Sequence, residues 1–150
     1  MARLLVVDDE ESIRAYVKQA LAVHGYEIVC AKDGADALRV LGRYKVDAMI
    51  TDIRMPVMDG ISLSLQARSM QPHLRILLMT GYVGELERAH NIGILVDRII
   101  TKPFTIESLM TAVRNLFAEP VPVAPFSAQS LSSERSQSGM SSRASKASRD

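Results

Sequence analysis

Residues that could carry out chemistry follow four short apolar runs in this chain of 150 residues. Asp8 and Asp9 follow the first run, Asp52 follows a run from 46 to 51, Thr80 a run from 74 to 79, and Lys102 a run from 94 to 101. Clustered carboxylates repel one another, which raises the pKa of each unless a cation compensates. Mg²⁺ suits such oxygen ligands, and an amine and a hydroxyl can hold a phosphoryl oxygen. These are the parts needed to pass a phosphoryl group to an aspartate and stabilise it there.

Each of these signals has an ordinary structural explanation when it is taken alone. An Asp-Asp pair can cap the next helix, and an Asp before Met-Pro can simply shape a turn. Thr80 with its following glycine could be only a turn, and Lys102 could be a solvated lysine before a proline. Their occurrence at the ends of four separate apolar runs favours the functional interpretation.

The apolar runs alternate with segments of helical periodicity. Strands are predicted in the runs 3–7, 26–30, 46–51, 74–79 and 94–101. Helices are predicted at 13–21, 34–42, 60–69, 84–92 and 106–117, the last with Thr105 as its N-cap. Such alternation predicts a parallel sheet with helices on both faces, because right-handed crossovers leave few other arrangements. The chemical groups then meet at the carboxyl edge of the sheet, where α/β proteins place their ligands.

The third helix is the least regular of these predictions. Its first residues, from Ile61 to Leu65, alternate apolar and polar side chains with the period of a strand. We predict a helix nevertheless, because the segment continues without a helix breaker until Pro72.

Composition limits the classes of protein that need to be considered. Hydrophobic residues make up 47% and aromatic residues only 5%, so we expect one domain with an aliphatic core. The net charge of +1 gives no sign of nucleic-acid or anionic-membrane binding. Cys30 is the single cysteine, which fits a reducing compartment, and its apolar neighbours predict that it is buried.

The ends of the sequence also lead to expectations. The first apolar run stops at Asp8, so no signal peptide is expected, and no run approaches the roughly 20 apolar residues of a membrane span. We therefore expect a soluble, cytoplasmic protein. Residues 1–118 are expected to fold, whereas residues 119–150 are rich in proline and serine and predict a disordered tail.

The motifs together resemble the receiver domain of two-component response regulators. The resemblance rests on Asp8-Asp9, Asp52-x-x-Met55-Pro56-x-x-Asp59-Gly60, Thr80-Gly81 and Lys102-Pro103-Phe104, and it spans residues 2–118. It implies an α/β fold of the flavodoxin-like (βα)5 type, a three-layer sandwich whose parallel sheet has the strand order 2-1-3-4-5. It also implies a protein that assists only its own phosphoryl transfer and dephosphorylation, and is otherwise not an enzyme.

The resemblance implies a Mg²⁺ site. Asp52 would be both a ligand and the phosphoacceptor, Asp9 a direct ligand, and Asp8 a ligand acting mainly through water. The backbone carbonyl of Arg54 would be the third protein ligand.

The resemblance also implies a phosphoryl-binding pair and a switch. Thr80 and Lys102 would engage the phosphoryl group, and the bond between Lys102 and Pro103 would be a cis peptide. The family often has an aromatic residue three positions before the lysine, where this chain has Ile99. We therefore expect Tyr82, or a shift of the loop from 81 to 93, to carry the output movement.

The expected function is that of a single-domain response regulator. A sensor histidine kinase or a histidine phosphotransfer protein would phosphorylate Asp52, and output would pass through contact with a downstream protein or through phosphorelay. No nucleic acid or membrane is expected among the partners, and the protein would be a monomer or a weak homodimer. Two alternatives remain: an aspartyl-nucleophile hydrolase of the haloacid dehalogenase type, and an unphosphorylated adaptor. The hydrolase would need a second Asp where this chain has Arg54, and the acidic pocket argues against the adaptor.

Overall fold

Strands and helices alternate along the chain as predicted. The computed structural model describes residues 1–81 and 97–120. Its elements are β1 (Arg3–Val7), α1 (Glu11–Val23), β2 (Glu27–Ala31), α2 (Gly34–Arg43), β3 (Ala48–Asp52), α3 (Gly60–Met70), β4 (Arg75–Thr80), β5 (Arg98–Thr101) and α4 (Ile106–Ala118). The helix predicted at 84–92, residues 94–96 of the last predicted strand, and Tyr82 lie outside the described residues.

The five strands form one parallel sheet in the order β2-β1-β3-β4-β5. This confirms the predicted flavodoxin-like order. The reversal of direction in the strand order lies between β1 and β3, where Val7 is paired with Thr51. The residues that follow these two partners are Asp8 and Asp52, so the two carboxylates leave the sheet side by side.

Two hydrophobic clusters fill the spaces above and below the sheet. The cluster under α2 and α3 includes Leu41, Leu63 and Ile76, and the cluster under α1 and α4 includes Leu21 and Leu109. Both clusters are almost wholly aliphatic, as the low aromatic content predicted. The helices therefore form the two outer layers of a three-layer sandwich.

Side-chain caps fix where the helices begin. Asp59 accepts a hydrogen bond from the backbone N–H of Ser62 at 2.8 Å, and it caps α3. Thr105, the predicted N-cap of α4, forms a reciprocal capping box with Ser108, with both backbone-to-side-chain distances at 3.0 Å. Each cap satisfies backbone N–H groups that have no partner inside the first turn.

The irregular pattern of α3 has a structural cause. Ser64 and Arg68 are buried on its inner face, whereas Leu65 and Met70 are exposed by 43% and 44%. Ser64 donates its hydroxyl proton to the carbonyl of Gly60 at 2.7 Å, which satisfies the hydroxyl inside the core. Polar residues on the buried face weaken the helical signal that the sequence gives.

Two sequence expectations need correction. Cys30 is only partly buried, because β2 is an edge strand with a neighbour on one side only. β3 begins at Ala48 rather than at Val46, although Val46 is still buried.

Two expectations concern the ends of the sequence and possible membrane segments. Residues 121–150 lie outside the described part, so the boundary at 118 and the disordered tail stay predictions. Among the described residues, no helix has the length and apolar character needed to cross a membrane.

Candidate functional site

Asp52 lies at the carboxyl end of β3, the central strand of the sheet. The residue is only 7% exposed. The strand is paired with β1 on one side and with β4 on the other, and the register sets Asp52 beside Met79. This position confirms that the carboxylate reaches the ligand-binding edge that parallel sheets share.

Two further carboxylates meet Asp52 at this edge. Asp8 is fully buried, Asp9 is exposed, and carboxylate oxygens of the three residues all lie within 4.8 Å of one another. Such close oxygen atoms carry strong mutual repulsion, which a divalent cation would relieve. Mg²⁺ prefers oxygen ligands, and these three residues offer only carboxylate oxygens. The residues therefore fit this ion.

Lys102 supplies the positive charge within the protein. Its Nζ lies 3.2 Å from Asp8 Oδ2 and 3.3 Å from Asp52 Oδ1. Burial alone would lower the pKa of Lys102, but the attraction of Asp52 and Asp8 outweighs it and the net pKa is raised. The lysine therefore stays charged at neutral pH and bridges two of the three carboxylates.

The backbone around Lys102 ties it to the end of β4. Its N–H donates to the carbonyl of Thr80 at 2.7 Å, and its bond to Pro103 is cis, as predicted. Thr80 is the last residue of β4 and is 1% exposed. A displacement of Thr80 would therefore be transmitted directly to the residue that carries the site's ammonium group.

Two neighbouring residues lie close to the backbone carbonyl of Asp52. The hydroxyl of Thr51 donates to the carbonyl oxygen of Asp52 at 2.9 Å. Gly60 approaches from the other side, and a Cβ on it would lie 2.1 Å from the same oxygen. The N–H of Gly60 also donates to the carbonyl of Ile53 at 2.7 Å. In the sequence, Gly60 serves only as part of the motif that follows Asp52, and no residue pattern there indicates this close approach.

The loop between β3 and α3 contains an unusual backbone conformation. Val57 has a φ of 69°, in the left-handed region that β-branched residues rarely adopt. Its side chain is completely exposed and gains nothing from packing. The strain lies in the loop 53–59 that connects Asp52 to α3, two residues before the capping Asp59.

A cleft of about 760 Å³ opens over the carboxylates. Asp9, Asp52 and Lys102 lie among its polar residues, and Arg54 also lines it. Apolar residues from α1 and from the loops after β3 and β5 form much of the remaining wall, namely Ile13, Tyr16, Met55, Pro56, Pro103 and Phe104. The rings of Tyr16 and Phe104 lie 6.2 Å apart, which joins α1 to the segment that follows Lys102. Asp52 therefore lines a cleft that opens to solvent.

The structure thus brings together five of the predicted site residues, which are Asp8, Asp9, Asp52, Thr80 and Lys102. Their predicted roles, and the role of the Arg54 carbonyl as a ligand, stay predictions. Ile99 lies on β5, paired with Leu78, and packs partly buried against the cluster on the α2 and α3 side. Tyr82 lies outside the described residues.

Comparisons with known proteins agree with this geometry. The sequence profile of the response regulator receiver domain matches residues 4–114. The chain is 33% identical over 120 residues to the response regulator MprA of Mycobacterium leprae, an alignment that covers 80% of this chain and 53% of that protein. The chain therefore spans about half the length of the curated relatives it matches.

Solved structures give the same result. The chemotaxis protein CheY4 of Vibrio cholerae is 32% identical, with a TM-score of 0.70, over 77% of this chain and 98% of that one. The response regulator protein TrrA of Thermotoga maritima, solved in complex with Mg²⁺-BeF, is 33% identical, with a TM-score of 0.71, over 77% of this chain and 99% of that one.

The profile match, the identities, the strand order and the acidic pocket all point to one family. Receiver domains are signalling modules of two-component systems rather than enzymes, and they work with histidine kinases. The chain belongs to the response regulator receiver domain family.

Proposed function

We propose that Asp52 accepts a phosphoryl group from a phosphohistidine on a sensor histidine kinase or a phosphotransfer protein. The single observation that carries the proposal is the cluster of three carboxylates within 4.8 Å, with Lys102 in contact with two of them. In the transfer, a carboxylate oxygen of Asp52 forms the new P–O bond while the P–N bond to the donor histidine breaks. The histidine leaves with the electron pair of that bond and takes up a proton.

Asp52 is suited to this role by its position and its charge. A carboxylate oxygen must make the attack, and the ammonium of Lys102 lies 3.3 Å from Asp52 Oδ1 as an opposite charge. Asp52 is only 7% exposed, and it lines the cleft through which the donor histidine would approach.

We further propose that Asp8, Asp9, Asp52 and the backbone carbonyl of Arg54 hold Mg²⁺. When bound, the ion would neutralise the charge of the carboxylates and of the incoming phosphoryl oxygens. The all-oxygen donor set supports this assignment, as does the Mg²⁺-BeF complex of the Thermotoga maritima relative. Asp8 shares one oxygen with Lys102, which agrees with a ligand that acts through water.

The proposed switch begins with the added charge. An acyl phosphate brings about −2 of charge and new acceptor oxygens to the strand ends. Lys102 moves from Asp52 towards the phosphoryl group, and the Thr80 hydroxyl closes on it from β4. Because the backbone N–H of Lys102 is bound to the carbonyl of Thr80, both strands respond together. That Tyr82 or the loop from 81 to 93 carries the output, with Ile99 in place of an aromatic, stays a prediction.

Output through contact with a downstream protein or through phosphorelay is part of the same proposal. So are a cytoplasmic location, a folded receiver over residues 1–118, a tail over 119–150, and a monomeric or weakly dimeric state. The expectation that the receiver acts without a fused output domain stays a prediction.

The proposal is tested by incubation with acetyl phosphate and Mg²⁺ followed by intact mass measurement. We expect the wild type to gain the mass of one phosphoryl group and Asp52→Ala to gain none. Asp59→Asn is the matched control, because it changes an acidic residue of the same loop while an asparagine still caps α3. A gain in both the wild type and Asp52→Ala would remove Asp52 from its role. No gain in the wild type would favour an unphosphorylated adaptor.

A further inference from the structure

Arg14 makes a contact that the proposed phosphorylation chemistry does not use. It lies on α1, in the fourth helical position, and its Nη1 donates to the backbone carbonyl oxygen of Asp8 at 2.6 Å. Helical side chains point back towards the N-terminus of their helix, which is why a residue six positions later can reach Asp8. The guanidinium therefore anchors the main chain between β1 and α1.

No side-chain cap closes the start of α1 in the described residues. Glu10 occupies the N-cap, and its side chain makes no capping hydrogen bond. The N–H of Asp8 donates to the carbonyl of Ala31 at 3.3 Å, and the Asp8 carboxylate accepts from the Glu10 N–H at 2.9 Å and from Lys102 Nζ at 3.2 Å. The peptide group between Asp8 and Asp9 joins the two acidic residues, and Arg14 holds its carbonyl oxygen.

We propose that Arg14 is a positioning residue for the metal site. By fixing the carbonyl of Asp8, it sets the direction in which the carboxylates of Asp8 and Asp9 leave the main chain, so that they converge on Asp52. This inference rests on the proposed Mg²⁺ site.

The charge of Arg14 and its positioning contact have opposite effects on Mg²⁺ affinity, so an experiment can separate them. A positive charge near three carboxylates would by itself weaken the binding of a cation, so its removal would strengthen Mg²⁺ binding. In the structure the guanidinium contacts a carbonyl oxygen, whereas the ammonium of Lys102 contacts the carboxylates. The positioning effect therefore predicts weaker Mg²⁺ binding on removal of Arg14, and the charge effect predicts tighter binding.

Lys18 is a matched control on the same helix, one turn further along. Burial raises the pKa of the Cys30 thiol, and the positive charges of Lys18 and Arg14 both oppose that rise. Both cations therefore lie on the same side of α1, towards β2. Of these two cations, it is Arg14 that the described structure shows hydrogen-bonded to Asp8. Lys18→Met removes a comparable charge and leaves the loop contact intact.

The experiment measures the dissociation constant of Mg²⁺ by calorimetric titration of the full chain with MgCl₂. The variants are Arg14→Met, Arg14→Gln, Arg14→Lys and Lys18→Met, and a thermal melt of each confirms that it is folded at the titration temperature. Groups that orient metal ligands typically change metal affinity by about 10- to 100-fold when they are removed. Because Arg14 acts through the main chain, we expect Arg14→Met to weaken Mg²⁺ binding by about tenfold, at the lower end of that range.

The pattern across the variants decides the inference. Arg14→Gln retains a donor without the charge and Arg14→Lys retains both, so each should recover part of the loss, while Lys18→Met should bind as tightly as the wild type. Unchanged or tighter binding by Arg14→Met would overturn the inference, as would an equal loss in Lys18→Met. Failure of the wild type to bind Mg²⁺ would instead overturn the proposed function on which the inference rests. If Arg14→Met fails to fold, the comparison of Arg14→Gln with Lys18→Met gives the same decision.

Discussion

Replacing Gly60 with alanine should disturb both the stability of the domain and the position of Asp52. A Cβ at residue 60 would lie 2.1 Å from the carbonyl oxygen of Asp52, 2.9 Å from its carbonyl carbon, and 2.9 Å from the Cα of Ile53. An ordinary carbon–oxygen contact is about 3.3 Å or longer, so the two backbones must separate by about 1 Å. All three opposing atoms belong to the main chain, and therefore no side-chain rotation can relieve the overlap.

The size of the effect follows from this geometry. Overpacking a well-packed site typically costs about 1–3 kcal/mol, and the rigid backbone partners place Gly60→Ala towards the upper end, at about 2–3 kcal/mol. For a domain of this size, each kcal/mol lowers Tm by roughly 4 °C, so we expect a decrease of about 8–12 °C. A displacement of about 1 Å at the reacting group can cost up to about 100-fold in rate, so phosphorylation should also be slower.

Gly42→Ala is the control for this prediction. Gly42 lies in the last turn of α2, and its nearest neighbour to a new Cβ is the Cε of Met70 at 3.8 Å, an ordinary contact. Alanine is favoured over glycine in a helix by about 0.5–1 kcal/mol, so this variant should melt at a higher temperature than the wild type. Thermal denaturation followed by circular dichroism measures both variants. A Gly60→Ala protein that melts as high as Gly42→Ala would refute the argument that α3 abuts the Asp52 backbone.

Three further predictions concern other parts of the molecule. Val57→Gly should raise the free energy of unfolding by about 0.5–1 kcal/mol, because the relief of left-handed strain exceeds the entropy cost of glycine. Chemical denaturation measures this free energy, and a lower value for the variant than for the wild type would contradict the prediction. Thr105→Ala should lower the same quantity by about 1 kcal/mol through loss of the capping box, and Thr105→Ser should retain most of it. Because burial raises the pKa of the Cys30 thiol, its alkylation by iodoacetamide at neutral pH should be slower than that of a free cysteine, and the rate should level off only at a higher pH. A rate that levels off at the same pH as for free cysteine would contradict this.

The sequence predicted the site more completely than its surroundings. Asp52, Thr80 and Lys102 each follow an apolar run, and in a parallel sheet the ends of such runs must meet at one edge. The strand order itself came from the resemblance and not from periodicity, because alternation fixes parallel pairing but leaves several orders open.

Contacts made by the main chain were beyond the reach of the sequence. The approach of Gly60 to Asp52 depends on how closely α3 packs behind β3, and no residue pattern encodes that distance. Arg14 looked like an ordinary polar residue on an amphipathic helix, because its partner is a carbonyl oxygen rather than a charged side chain. The prediction that Cys30 is buried was wrong for a related reason. An apolar run does not reveal whether its strand lies at the edge of the sheet.

The central claim is that the carboxylate of Asp52 receives the phosphoryl group, and chemical identification of the modified residue tests it most directly. The protein is phosphorylated with acetyl phosphate and Mg²⁺, the acyl phosphate is reduced with borohydride to an alcohol, and the digested peptides are sequenced by mass spectrometry. We predict that the reduced residue is Asp52 and that Asp8 and Asp9, which are within 4.8 Å of it, remain unmodified. Reduction at Asp8, at Asp9 or at an acidic residue outside the cluster would contradict the account.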